Sequence, residues 1–375
     1  MRFLREHVFY VVLIAVTAVV GGAAMAFYFT SDIGTKVKTR QAVSTSLFTQ
    51  ARRQQKVNQQ AVDDLKTRNE AYQAAAKKAV ADSVEFNRKN LKFLLLNVGV
   101  GEPKPAFPID AKTFSEKGLT FEFIRQYNRN LDELASVNRK DLGRTVRATP
   151  EEINEQKGKL AEQWKGQADV KAVEYMKVRK AREGKVYIDE SALHRYFAPN
   201  ETTAPFYRLW ESQVNLWVTQ EVLQAIASTN QGLFDWRKEQ GVGPAEENVL
   251  TSAVKRLEKL NIGEAFAPAQ RAAAGNLGGR GTNDQYGVIR YQFSVIMPPC
   301  HVERLLRTLE LQNYHTAVVT AMSEVPLRDR GDYYYGVEPV MKVDIDAEML
   351  LLLEWAKDKM PDDEKLKLTQ AQAGT

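Results

Sequence analysis

YQFSVIMPPCHVERLLRTLELQNYHTAVVTAMSEV, residues 291–325, is the most informative segment about the fold, because its hydrophobic period changes twice. Apolar residues alternate with polar ones up to Met297, as in a half-buried strand, and Pro298-Pro299 ends the alternation. The apolar residues that follow have helical spacing: Val302, Leu305, Leu306 and Leu309. A second β-branched run at 314–322 comes next. These changes predict a strand, a short helix that covers a sheet, and another strand.

A third strand is expected after a loop at 326–339. It begins with Met341, Val343 and Ile345 and is expected to continue through Leu353. The order strand, helix, strand, strand is half or more of a ferredoxin-like module, in which a helix bridges a parallel pair and a hairpin adds the third strand. We therefore predict a ferredoxin-like βαββ module at 285–355, followed by a polar tail at 356–375.

The region 119–266 is predicted to be helical. Its strongest helix, at 206–229, places Trp210 and Trp217 on one apolar stripe, which is typical of core packing rather than of a ligand platform. Thr149-Pro150-Glu151-Glu152 is a capping box that begins a helix reaching about residue 182. Three further segments are assigned as a brief strand at 184–188, an ambiguous helix or strand at 249–262, and an Ala/Gly-rich linker at 267–284.

A long polar helix is predicted at 31–92, because residues 31–90 contain no proline and only Gly34 among glycines. Its thin apolar seam consists of Val43, Leu47, Ala51, Val57, Leu65, Tyr72, Ala75, Ala79 and Phe86. A narrow seam on a polar helix calls for a partner helix, so we expect a coiled-coil-like stalk, about 90 Å long if continuous. The alternative is a polar linker. An apolar burst and a Pro/Gly linker at 93–118 end the stalk.

The run VFYVVLIAVTAVVGGAAMAFYF at 8–29 carries no charge and is long enough to span a bilayer as a helix. The alternative is a cleaved signal peptide, because Arg2 and Arg5 form a basic leader and Ala24-Met25-Ala26 resembles a cleavage site. Signal-peptide apolar cores are usually about 7–15 residues, so the longer run favours a retained span after a short tail at 1–7. The flanking charges do not decide which side the rest of the chain occupies.

Composition excludes two classes of protein. The net charge of +5 comes from positive residues interleaved with acids, so the chain lacks the basic face of a nucleic-acid-binding protein. Cys300 is its one cysteine, which excludes an internal disulfide. The hydrophobic fraction of 44% and the charged fraction of 26% are those of an ordinary folded protein.

Four stretches together resemble the PilO family of type IV pilus assembly and the related type II secretion protein M. They are the span at 8–29, the polar helix at 31–90, the stretch 291–325 and VMKVDID at 340–346. The resemblance implies an inner-membrane, single-pass platform protein whose bulk is periplasmic. It also implies a chain that pairs with itself or with a sister subunit as a homo- or heterodimer.

No catalytic, cofactor-binding or metal-binding residues are assigned from the sequence. Cys300 and His301 are adjacent at a helix start and point in different directions, and the glycine-rich stretch 275–281 has neither a preceding strand nor a following Lys-Ser/Thr. We therefore predict that the chain is not an enzyme. The candidate partner contacts are the seam residues Val43, Leu47, Leu65 and Tyr72, and the tyrosines Tyr333, Tyr334 and Tyr335, which are expected to be exposed in an arginine-bearing loop.

The predicted fold class is thus α+β, with a single N-terminal transmembrane helix, a long coiled-coil-like stalk helix, a helical middle region and a C-terminal ferredoxin-like βαββ module. The first functional hypothesis is a membrane scaffold of a pilus or type II secretion-like assembly. The alternative is a membrane-tethered ligand-binding or sensory protein. A concave pocket beside Trp210 and Trp217 would favour the alternative, whereas a solidly packed face would favour the scaffold.

Overall fold

The structure is a computed structural model. It describes residues 33–54, 59–91, 97–98, 104–105, 118–164, 166–198, 200–243, 246–263, 277–325, 332–357, 360–362 and 365. The chain divides into two compact units, Met1–Ala79 and Val80–Thr375. The run at 8–29 lies outside the described residues. Within the described ranges, no helix combines the length and the apolar character needed to cross a membrane.

Eight α-helices and eight strands occur among the described residues. The helices are α1 (Ile33–Gln54), α2 (Gln59–Leu91), α3 (Leu119–Leu134), α4 (Pro150–Leu160), α5 (Ala168–Glu183), α6 (Phe206–Gln240), α7 (Val302–Gln312) and α8 (Leu353–Ala356). The strands are β1 (Asn97–Val98), β2 (Lys104–Pro105), β3 (Arg144–Thr145), β4 (Val186–Ile188), β5 (Arg256–Ile262), β6 (Tyr286–Met297), β7 (His315–Glu324) and β8 (Met341–Leu352). β1 and β2 form a separate antiparallel pair.

Six strands form one mixed sheet in the order β3-β4-β5-β6-β8-β7. β3, β4 and β5 are parallel, and the remaining neighbours are antiparallel. The longest ladder joins β6 to β8 from the pair Tyr286 and Leu352 to the pair Met297 and Met341. Because β6 and β7 are both antiparallel to β8, they are parallel to each other, and α7 connects them.

The predicted fold class is wrong. A helical middle region does not precede a separate ferredoxin-like module, because β3, β4 and β5 pair in the same sheet as β6, β7 and β8. β5 comes from the segment that was ambiguous between helix and strand, and its partner β6 lies beyond the predicted linker. The chain between β5 and β6 therefore joins two antiparallel neighbours of one sheet. Local periodicity did not indicate this pairing, because partners in a sheet are chosen by long-range contacts.

Several predicted elements of the second unit are confirmed. The capping box at the start of α4 is present, with Thr149 and Glu152 bonded to each other's backbone amides. The single helix predicted to reach about residue 182 is instead two helices, α4 and α5. Gly166 lies between them with φ 79, a left-handed conformation that glycine adopts without steric cost. The strand at 184–188 is confirmed as β4, and α6 extends the predicted helix at 206–229 to Gln240.

The main core lies on one face of the sheet, where side chains from α3, α6 and α7 pack against the strands. α6 is 35 residues long and is buried around most of its circumference, because it lies between the other two helices and the sheet. A second, smaller cluster has Ala181, Tyr187, Val249, Ile296, Val325, Tyr333 and Tyr335 as its buried members. In the first unit, the described side chains at 39–49 and 63–79 are exposed.

Candidate functional site

The predicted contact residues of the stalk lie on exposed helix surface. On α1, Val43 is 50% exposed and Leu47 is 58% exposed. On α2, Leu65 is 50% exposed and Tyr72 is 75% exposed. Phe48 on α1 is also exposed and adjoins this set, although the sequence did not single it out. The two helices thus offer apolar side chains to water, and the role of these side chains as partner contacts stays a prediction.

The tyrosine loop, defined here as residues 333–335, does not have the exposure that the sequence predicted. Tyr333 and Tyr335 are only 5% and 6% exposed, and Tyr334 is partly buried. The rings of Tyr333 and Tyr335 stack on each other, with 6.1 Å between their centroids, and both meet the ring of Tyr187 on β4 edge to face. These rings fill the second core cluster because they cover the sheet around β4. The expectation of an exposed aromatic loop is therefore wrong for Tyr333 and Tyr335.

Charged groups hold Tyr333 in place. The guanidinium of Arg256 on β5 lies 3.9 Å from the centroid of the Tyr333 ring, a cation–π contact. The Tyr333 hydroxyl donates a hydrogen bond to Asp189, which also lies 3.7 Å from Arg256. Burial raises the pKa of Tyr333, and its hydrogen bond to Asp189 adds to the effect. Tyr333 therefore carries its proton at neutral pH and fastens the loop to β4 and β5.

The tryptophan face of α6 is packed core. Trp210 and Trp217 are both 0% exposed. Their rings meet edge to face with 5.7 Å between centroids. The ring centroids of Trp217 and Trp355, which lies on α8, are 5.8 Å apart. Because these indoles are covered by protein, this face has the solid packing that favours the scaffold hypothesis over the ligand-binding one.

Asn87 joins the end of α2 to the sheet, and the sequence did not indicate its role. Its Oδ1 accepts hydrogen bonds from the backbone N–H of Leu352 (2.9 Å) and the indole N–H of Trp355 (2.8 Å). Its Nδ2 donates to Asn313 Oδ1 and to the carbonyl of Leu350, both at 2.8 Å. Asn313 returns a bond to the Asn87 carbonyl at 3.1 Å. Asn87 is 0% exposed, so these bonds are shielded from competing water.

A buried polar chain crosses the main core from α6 to the sheet. The Tyr291 hydroxyl on β6 lies 2.8 Å from His315 Nδ1 on β7, and His315 Nε2 lies 4.0 Å from a carboxyl oxygen of Glu221 on α6. The side chains of His315 and Glu221 are 0% exposed. Burial lowers the pKa of His315 to about 3, so its ring is neutral at pH 7. The sequence predicts Tyr291 only as a residue of the strand before Pro298 and assigns no role to His315 or Glu221.

Lys255 is a buried cation immediately before β5. Its ammonium donates to the carbonyls of Val249 (3.1 Å) and Leu250 (2.8 Å), and it lies 3.1 Å from a carboxyl oxygen of Glu338. The two carbonyls take two of its three protons, the Glu338 carboxylate lies at ion-pair distance, and burial lowers the pKa of Lys255. The group joins the 249–250 turn to the segment after the tyrosines and therefore stabilises the loop.

Cys300 and His301 are adjacent in sequence but differ in exposure. Cys300 is exposed, while His301 is partly buried and burial lowers its pKa. Within the described part of the chain, no group of three or more His, Cys, Asp or Glu side chains is arranged to hold a metal ion.

A cavity of about 430 Å³ lies between α4 and α5, and Ile153, Val173 and Lys177 contribute to its lining.

Comparisons with known proteins leave the family open. No family model matches the chain, and no curated protein matches it. Three solved chains match, one of which is described as a crystal structure from Akkermansia muciniphila. That chain is 8% identical, and the alignment covers 64% of this chain and 95% of the other with a TM-score of 0.25. A likeness at that TM-score carries no argument about fold or function.

Proposed function

We propose that the chain is a membrane-anchored scaffold protein of a type IV pilus or type II secretion-like assembly. The apolar run at 8–29 is its anchor in the inner membrane, and the bulk of the chain is periplasmic. α1 and α2 bind a partner helix through their exposed apolar seam, and the sheet-containing unit contacts other subunits. The protein aligns its partners or transmits force between them, and it catalyses no reaction.

The observation that carries the proposal is the contrast along α2. Leu65 and Tyr72 leave large apolar surfaces in water on a helix rich in charged and polar residues, at the heptad spacing of a coiled-coil seam. In the last turns of the same helix, Asn87 makes buried hydrogen bonds to β8 and α8. Val84 also packs against the main core. A helix that offers a seam at one end and is fixed to a sheet at the other is suited to mechanical coupling.

Site-specific photo-crosslinking in intact cells tests this proposal. A benzophenone amino acid replaces Leu65 or Tyr72 in the full-length chain, and Thr67 is the matched control. Thr67 is also exposed but lies about 200° around the helix from Leu65, at about 100° per residue. We expect the yield of crosslinked product from Leu65 and from Tyr72 to be at least about tenfold higher than that from Thr67. We also expect the chain to remain in the membrane fraction after a wash with alkaline carbonate.

Two results would contradict the proposal. Equal crosslinking from the three positions would show that the seam has no partner. Release of the chain by the carbonate wash would show that it is not anchored by an embedded segment. Mass spectrometry of the crosslinked products identifies the partner and decides between a second copy and a sister subunit.

A further inference from the structure

The two ends of the six-stranded sheet differ in length. β3, at one end, has two residues. β7, at the other end, has ten residues, and among the strands that the structure describes only β8 pairs with it. Its residues from Thr320 to Glu324 are exposed. Among the residues that the structure describes, no strand pairs with the outer edge of β7, and such edges are templates for another strand.

The sequence of β7 lacks the chemical devices that usually block edge pairing. HTAVVTAMSE contains no lysine, no arginine and no proline, and its one acid is the terminal Glu324. His315 is neutral at pH 7, because it is buried and its pKa is lowered. The register irregularity between Val319 and Ala321 is a bulge-like feature of the kind that can also protect an edge, and it brings Ala317 and Met322 to the same face of the sheet. Natural edge strands commonly carry a charge or a proline, so a neutral edge of this length indicates an interaction surface.

We propose that β7 pairs antiparallel with β7 of a second copy of this chain, about a two-fold axis between Val319 and Thr320. This pairing would join two six-stranded sheets into one. This pairing would be one of the subunit contacts of the proposed scaffold, and in that respect the inference rests on the proposed function. The register follows from the residues of β7 and their partners on β8.

The faces of β7 fit this register. The axis sets Ala317 opposite the Met322 of the second copy, and both residues lie on the side of the main core, because they pair with Ala347 and Val343 of β8. The small Ala317 leaves room for Met322, which is 45% exposed. The axis also sets Val318 opposite Ala321, and both lie on the other side of the sheet, where they pair with Asp346 and Asp344.

The charge pattern of β7 is compatible with a second copy as the occupant. A two-fold axis sets the middle of a strand against itself, so a charge there would meet an identical charge at short distance. Between Thr316 and Ser323 the strand has no charged residue. At its ends the same register sets His315 opposite Glu324, so the two acids do not meet. A neutral strand with matched faces is thus compatible with its own copy and offers no charge to select a different partner.

Mixed-cysteine crosslinking tests the pairing and its register. The full-length chain, extracted in mild detergent, carries Cys300→Ser to remove its exposed thiol. One differently tagged population carries Val318→Cys and the other Ala321→Cys. Opposed residues in an antiparallel pair lie about 4.5–5.5 Å apart between Cα atoms, which suits a disulfide. We expect mild oxidation of the mixture to join the two tags at least about tenfold more than oxidation of either variant alone.

Control variants distinguish this register from chance collision of thiols. Two Val318 residues would be offset by three residues, or about 10 Å, so that variant alone should not crosslink. Gln292→Cys is exposed on the central strand β6 and should not crosslink to Ala321→Cys. Thr320→Lys brings two like charges to the axis, so adding it to both cysteine variants should reduce the mixed crosslink at least about tenfold. Gln292→Lys should leave the crosslink unchanged.

The outcomes separate this inference from the proposed function. Absence of the mixed crosslink, with both thiols reactive to maleimide, overturns the pairing of β7. Equal crosslinking of single and mixed populations overturns the register. A crosslink from β7 to a different protein also overturns the proposal, since the edge would then have another occupant. In any of these cases photo-crosslinks from Leu65 and Tyr72 would leave the scaffold proposal standing.

Discussion

Asn87 and Trp355 are joined by a buried hydrogen bond, with 2.8 Å between the Asn87 Oδ1 and the indole nitrogen. The bond connects the end of α2 to α8, the short helix that follows the last strand of the sheet. The ring of Phe86 also meets Tyr314 edge to face at 5.1 Å. In the second unit, the end of α2 is therefore held by directional bonds in addition to apolar packing.

Asn87→Ala is expected to lower the free energy of unfolding of the second unit by about 3–5 kcal/mol. The substitution leaves the Trp355 and Leu352 donors buried without their acceptor. Denaturant unfolding followed by tryptophan fluorescence measures the change. Asn69→Ala is the control, because Asn69 is exposed on the same helix, and it should change stability by less than about 0.5 kcal/mol. Equal effects of the two substitutions would contradict the role assigned to Asn87.

Lys255→Met is expected to destabilise the fold by about 2–4 kcal/mol, because it leaves two buried carbonyls and a carboxyl oxygen of Glu338 without their cation. Lys259→Met is the matched control, since Lys259 lies four residues further along, on β5, and is exposed. A double-mutant cycle with Glu338→Gln measures the coupling in the pair. Strict additivity of the two substitutions would show that the Lys255–Glu338 contact contributes no stability.

His315 is expected to make stability fall in acid. Its folded-state pKa is lowered to about 3 from 6.5, so below pH 6.5 the unfolded chain binds a proton that the folded chain does not. Stability is therefore complete above pH 6.5 and is lost as the pH falls toward 3, by up to about 1.4 kcal/mol per pH unit. His315→Gln keeps a polar partner for Tyr291 but does not titrate. Urea unfolding from pH 7.5 to pH 4.5 should show a shallower pH dependence for His315→Gln, and parallel curves would refute this assignment.

Tyr333 is expected to act through both its ring and its hydroxyl. Tyr333→Phe keeps the ring over Arg256 and removes the bond to Asp189, at a cost of about 1 kcal/mol. Tyr333→Ala also empties part of the second core cluster, at a cost of about 3–5 kcal/mol. Thermal unfolding measures both. Tyr175→Ala is the control, because Tyr175 is 51% exposed and its loss should change little. A Tyr333→Ala protein as stable as the control would mean that the loop is not part of the core.

Local sequence patterns predict several helices and strands of the second unit correctly. The alternation around Tyr291 predicted β6, and the spacing from Val302 to Leu309 predicted α7. Thr149 with Glu152 predicted the start of α4. Each of these signals is read from neighbours a few residues apart, because strand and helix periods and caps are local properties of the chain.

Long-range contacts determine which strands share a sheet and which polar residues are buried. β5 pairs with β6 across the segment predicted as a linker, and Asn87 meets Asn313 and Trp355 from a distant part of the chain. Tyr333 belongs to the core only because β4 and β5 lie beneath it. Such contacts join residues far apart in sequence, and no local period encodes them. Their free energy comes from burial and hydrogen bonds that exist only once the whole unit has folded.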